Sequence, residues 1–136
     1  MATSRALACP CGRMASSGKP LAFTACCGRY LDDFEAKPAP DAESLMRSRY
    51  SAFALSRDDY LRATWHVGKR PHDVAPDADA KWLGLEVRRV ADFDADHAEV
   101  EFVARYRVGG RAVRIHERSR FVREAGRWYY LDGDLL

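Results

Sequence analysis

Residues 98–123 read Ala98-Glu99-Val100-Glu101-Phe102-Val103-Ala104-Arg105-Tyr106-Arg107-Val108-Gly109-Gly110-Arg111-Ala112-Val113-Arg114-Ile115-His116-Glu117-Arg118-Ser119-Arg120-Phe121-Val122-Arg123. Two runs rich in β-branched and aromatic residues flank Gly109-Gly110, a pair suited to the two-residue hairpin loop whose central residues both take positive φ. A loop that short dictates the register, and partners on the two strands sum to 219. Glu99 then faces Arg120 and Glu101 faces Arg118 on one surface, while Tyr106 faces Val113 and Ala104 faces Ile115 on the other. A slip of one residue would turn Val100, Phe102 and Ile115 toward water.

Working outward, residues 82–91 and 127–132 carry the same strand composition, and short connections make the whole a four-stranded antiparallel meander. The Glu124-Ala125-Gly126 turn permits either Trp128 and Tyr130 or Tyr129 and Leu131 to face inward. Before the sheet, Asp41 at an N-cap position opens a helix to about Leu55 with Leu45, Met46, Ala52 and Phe53 on one side. Ser56-Arg57-Asp58-Asp59 has the form of a capping box and starts a second helix bearing Tyr60, Leu61, Thr64 and Trp65, stopped by Gly68 and Pro71. Residues 68–80 read as loop, with one helical turn near Asp77 to Lys81. Fold class is therefore α+β.

At 136 residues and 47% hydrophobic, the chain can bury one core and not two. Residues 1–34 hold all four cysteines and read as a small metal-stapled unit. Residues 35–136 read as the main domain, entered through a stiff Glu35-Ala36-Lys37-Pro38-Ala39-Pro40 linker. Polar residues and prolines interrupt every candidate apolar run of a secretory signal, and nothing reaches the length of a membrane span, so a cytoplasmic setting is expected. A net charge of +2 does not argue for nucleic acid.

The cysteines stand as Cys9-Pro10-Cys11-Gly12 and Cys26-Cys27-Gly28, with fourteen residues, Gly12 to Ala25, between Cys11 and Cys26. Two close pairs of soft ligands suit one tetrahedral zinc ion, which a closed four-thiolate site would make structural and not catalytic. An iron–sulfur centre and redox or disulfide pairs are the alternatives.

Cys9-Pro10-Cys11-Gly12, Ser17-Gly18-Lys19 and Cys26-Cys27-Gly28 resemble the SEC-C motif, the zinc tail of the SecA translocation ATPase. This copy has a longer loop between its cysteine pairs and fewer lysines. Leu45-Met46-Arg47-Ser48-Arg49-Tyr50-Ser51-Ala52-Phe53, Thr64-Trp65-His66, Trp82-Leu83-Gly84-Leu85, Glu117-Arg118-Ser119-Arg120-Phe121 and Trp128-Tyr129-Tyr130-Leu131-Asp132-Gly133 extend the match to the bacterial YchJ family. The resemblance implies a SEC-C motif followed by a nuclear transport factor 2-like domain, a curved sheet wrapped around helices as a cone. It brings no activity with it.

One constellation in the domain departs from ordinary patterning. Arg49 falls in the middle of the apolar arc of the first helix, and Glu117 shares the inward face of its strand with Val113, Ile115, Ser119 and Phe121. Either the two form a buried ion pair joining helix to sheet, or they line the mouth of the cone and meet a small ligand, with Ser119, Trp65, His66 and Tyr130 nearby. His66 invites a base reading, although a histidine at a helix end more often meets the helix dipole. His116 sits on the charged face and reads as solvated.

No set of nucleophile, base and orienter stands out. The first functional expectation is a non-enzymatic binding or adaptor protein whose cone takes a small molecule or an unknown protein partner. An enzyme using His66 or Glu117 for acid–base chemistry is the second. Association with a ribosome or chaperone through the zinc motif is the third, and no membrane role is expected. The arginines of the outer face lie among glutamates, which argues for a solvated surface over an RNA-binding one.

Overall fold

The computed structural model describes residues 7–72, 74 and 79–136. A short 3-10 turn at Phe23–Ala25 precedes α1 (Gly28–Leu31), α2 (Ala42–Ala54) and α3 (Asp58–Ala63), followed by β1 (Lys81–Asp94), β2 (His97–Val108), β3 (Arg111–Glu124) and β4 (Arg127–Leu135). The strands form one antiparallel sheet in the order β1-β2-β3-β4, the expected meander. The helical turn expected near Asp77 begins outside the described residues, and Lys81 already belongs to β1.

The β2–β3 register is the one the hairpin dictates, from His97 opposite Val122 to Val108 opposite Arg111. Gly109 and Gly110 take φ of 56° and 77°, which a side chain at either position would disfavour. On the outer face the charges meet diagonally and not straight across. Glu101 accepts from His116 Nε2 at 2.7 Å, and Arg118 lies 3.9 Å from Glu99. Arg120 turns instead to β4, bonding Asp132 at 2.6 Å and Asp134 at 2.7 Å. His116 is thus half-buried and paired, where solvation was expected.

Bulges do what the alternation of residues cannot. In β1, Leu83 is looped out between Trp82 and Gly84, so that Trp82, Leu85 and Val87 all pack on the core despite odd spacing. In β4, an irregularity opposite Arg120 and Phe121 sets Phe121 beside Tyr130, and Trp128 and Tyr130 are the inward pair.

Helix α2 starts as expected, with Asp41 Oδ1 accepting from the Ser44 N–H at 2.7 Å. Ser56 corrects the second helix start. Its φ is 56°, and it caps nothing with its hydroxyl. Arg57 N–H donates to Ala52 O at 2.8 Å and Ser56 N–H to Phe53 O at 3.4 Å, the paired closure of a helix ending in a left-handed residue. The serine therefore terminates α2. Helix α3 begins after it without a side-chain cap and ends at Ala63, so Thr64 and Trp65 lie beyond its last turn.

A left-handed serine carries a steric cost that glycine lacks. Ser56→Gly is expected to raise stability by about 0.5–1 kcal/mol, read from the urea midpoint at unchanged slope. A loss of similar size would mean that Ser56 is not the stop residue.

Candidate metal centre and cone cavity

The amino-terminal segment is built as a narrow loop. Cys9 N–H donates to Leu21 O at 2.9 Å and Leu21 N–H to Arg13 O at 3.0 Å, while Gly12 N–H closes a tight turn on Cys9 O at 3.1 Å. That turn presents Cys9 and Cys11 together. Cys26 follows the 3-10 turn, and Cys27 leads into α1. The four Sγ atoms lie within 4.8 Å of one another, and all four residues are buried. Sequence reasoning named the cluster's four members; their second ring it missed. Ser51 Oγ sits 3.5 Å from Cys9 Sγ, Arg47 donates to Cys11 O at 3.1 Å, and Arg13 donates to Ser44 Oγ at 3.0 Å. Ser44, Arg47 and Ser51 recur at helical spacing along α2, a polar stripe that could have flagged the contact.

The electrostatics of this cluster call for a cation. Hydrogen bonds from Cys11 and Cys27 hold the Cys9 thiol far below its ordinary value. Cys26 is pushed up to about 12 by burial and by charge on Cys11 and Cys9, and Cys27 is raised through hydrogen bonding with Cys11 and Cys9 and by burial. One thiolate forms readily, and the next ones are opposed. A positive ion at the centre would relieve the opposition felt by Cys26 and Cys27, so the donor set fits a soft metal ion.

On the opposite side of α2, a cavity of about 400 Å³ opens between helices and sheet. Its floor is Phe102 and Ala104 of β2 with Ile115, Glu117, Ser119 and Phe121 of β3, a consequence of the alternation within each strand. Trp82 anchors one wall, with ring centroids 5.5 Å from Tyr50, 5.6 Å from Phe53 and 4.8 Å from Tyr106. Trp65 and Tyr130 form the other, 5.0 Å apart.

Arg49 reaches this cavity and is 6% exposed. Its Nη1 donates to Leu61 O at 2.8 Å and to Thr64 Oγ1 at 2.7 Å. The guanidinium carbon lies 5.2 Å from the Trp65 ring and 4.6 Å from that of Tyr130. Burial lowers its pKa to about 10, still charged at neutral pH. Glu117 is not its direct partner, which corrects the expected buried ion pair. The Glu117 Oε2 atom accepts instead from Ser119 Oγ at 2.5 Å and Tyr130 Oη at 3.2 Å. Burial, then the nearby Glu117 charge, raises the Tyr130 phenol well above its usual range, so it remains a donor. Gly133 makes room for this carboxylate, because a Cβ there would lie 2.3 Å from Oε2.

Of the residues expected to meet at the cavity, Arg49, Glu117, Ser119, Trp65 and Tyr130 line it and His66 does not. The chain runs extended beside Tyr130, with His66 N–H donating to Tyr130 O and Tyr130 N–H to Thr64 O, so Trp65 and His66 point to opposite sides. His66 Nε2 bonds Glu124 at 2.9 Å at a separate, polar surface cleft.

Residues 41–133 match the family model described as YchJ, middle NTF2-like domain. The chain belongs to the YchJ family. It is 68% identical over 127 residues to a UPF0225 protein of Polaromonas sp. (strain JS666), covering 93% of this chain and 91% of that protein. A UPF0225 protein of Bordetella parapertussis is 56% identical over 129 residues, covering 94% and 92%. Two solved structures share the fold. The solution structure of a SEC-C motif containing protein from Rhodopseudomonas palustris superimposes with a TM-score of 0.79 at 35% identity, covering 96% of this chain and 99% of that one. The crystal structure of a SEC-C motif containing protein from Psychrobacter arcticus gives 0.76 at 32% identity, covering 92% and 80%. This YchJ-family chain thus combines a cysteine cluster with an NTF2-like domain, the architecture the motifs implied.

Because Arg49 is held by a carbonyl, a hydroxyl and two rings and not by a carboxylate, Arg49→Met should cost about 1–3 kcal/mol, the penalty of hydrogen bonds left unmade. Urea denaturation gives the value. A loss of about 3–5 kcal/mol is what stranding one member of a buried ion pair produces, and would contradict this geometry.

Proposed function

We propose that this chain is a zinc-stapled small-molecule-binding protein, with the metal structural and the cone cavity the working part. The observation that carries the reading is the cavity itself. Its volume of about 400 Å³ lies within the range of small-ligand sites, and its lining is mostly apolar and aromatic with a few convergent polar groups. A fully packed Arg49 and Glu117 would have left only a structural role.

Zinc is favoured by the sulfur spacing. Four ligands about 2.3 Å from a tetrahedral zinc stand about 3.8 Å from one another, and Cys11 and Cys26 Sγ are 3.7 Å apart. All four positions of such a site are filled by protein, which suits a structural ion. Bound there, zinc would supply charge compensation and cross-linking. The Ser51 hydroxyl beside Cys9 and the Arg47 bond to Cys11 O would orient the ligands from α2.

Supporting a binding role over a nucleic-acid one, three of the outer-face arginines are already engaged. Arg88 pairs with Glu86, Arg118 with Glu99, and Arg120 with Asp132 and Asp134. Among the described residues, no helix is long and apolar enough to cross a membrane.

Native mass spectrometry of freshly purified protein tests both halves. The expected spectrum shows one zinc per chain together with a retained small-molecule mass. Ala104→Phe, which fills the cavity floor, should abolish the small-molecule mass and keep the zinc. A metal-free chain overturns the zinc assignment. A spectrum without a retained molecule, or one that keeps it in Ala104→Phe, overturns the binding role of the cavity.

A further inference from the structure

We infer that the cone cavity takes an amine: a primary or secondary ammonium group set against the unbonded oxygen of Glu117, on an apolar or aromatic body packed along the Trp82 wall. This deepens the small-molecule reading above and rests on it.

The polar inventory of the cavity separates its two charges. Glu117 Oε2 takes both hydroxyl donors, Ser119 and Tyr130, and Oε1 has no donor among the described residues. A carboxylate accepts through both oxygens, so the open Oε1 in a largely apolar lining is a place for a ligand's donor. Two hydroxyls on the other oxygen, with the wall closed by Gly133, keep the side chain aimed and cannot neutralise it. Arg49 is more heavily engaged. Its Nη1 donates twice to protein acceptors, and rings lie over the guanidinium from Trp65 and Tyr130. Two of its five N–H groups are thus held at the exit of α3 and its π contacts come from Trp65 and Tyr130.

An anionic ligand would have only the N–H groups that Leu61 and Thr64 leave open, and it would lie close to Glu117. The two are joined through one side chain, since the Tyr130 ring faces Arg49 while its hydroxyl donates to Glu117. An ammonium group meets the reverse situation. It supplies the missing donor to Oε1 as a charge-assisted hydrogen bond. The Trp82, Tyr50, Phe53 and Tyr106 rings then take the apolar remainder.

Three probes with one body and different heads make the test: 4-phenylbutylamine, 4-phenylbutan-1-ol and 4-phenylbutanoate, titrated into the zinc-loaded chain and followed by the indole N–H resonances of Trp65 and Trp82. The amine is expected to bind about tenfold or more tightly than the alcohol, the gain of one charge-assisted hydrogen bond, and the butanoate more weakly than both. Glu117→Gln should bring the amine-to-alcohol affinity ratio close to one. An amine no tighter than the alcohol in the unaltered chain overturns the inference, whatever the variant does. Butanoate binding best would overturn it in favour of an anion on Arg49, with the cavity reading intact. If none of the three moves either indole resonance, the small-molecule reading falls together with it.

Discussion

A single buried cation organises the domain. The Arg49 guanidinium leaves α2 in the middle of its apolar face and is held by the Leu61 carbonyl and the Thr64 hydroxyl, groups freed because α3 ends at Ala63. Thr64 also donates to Tyr60 O at 2.7 Å, so the helix exit is pinned from both sides. The rings over the cation belong to Trp65 and Tyr130, neighbours through the backbone pairing of residues 64–66 with β4. A charge desolvated this completely survives only with such a set of partners. In meeting that demand the fold joins two helices to the last strand and leaves one oxygen of Glu117 open toward the cavity.

Helix α2 works on both its faces. Ser44, Arg47 and Ser51 meet the cysteine segment, and Leu45, Arg49, Ala52 and Phe53 meet the sheet side. The cysteines and the domain core form one continuous buried cluster. A metal ion drawing the four sulfurs together would therefore stiffen the roof of the cavity. This gives a physical reason for a structural metal to sit beside a binding site without taking part in its chemistry.

How much of this the chain announces depends on the range of the interaction. The β2–β3 register was legible because Gly109-Gly110 leaves no slack and Val100, Phe102 and Ile115 penalise a slip. Asp41 was legible because its cap bonds only three residues away. The four cysteines declared themselves by chemistry and clustering. The inward aim of Arg49 and Glu117 was also legible, each from its own periodicity, whereas their failure to touch was not. That outcome rests on where α3 stops, and Ser56 hid the stop by having the composition of a helix start while taking the conformation of a helix end. Bulges at Leu83 and opposite Arg120 and Phe121 are set by packing across the sheet, so neither the Trp82 to Leu85 spacing nor the inward pair of β4 could be read locally. His66 was misplaced for the same reason: an extended segment alternates its side chains, and a helix was expected there.

The central claim is that fixed protein acceptors, and not Glu117, hold the Arg49 charge. Nitrogen-edited NMR of the Arg49 side chain in the unaltered protein and in Glu117→Gln tests it most directly. The account expects separate, slowly exchanging Nη–H signals that persist when the carboxylate is neutralised, because Leu61 O and Thr64 Oγ1 remain in place. Collapse of those signals to the averaged pattern of a solvated arginine on that substitution would contradict it.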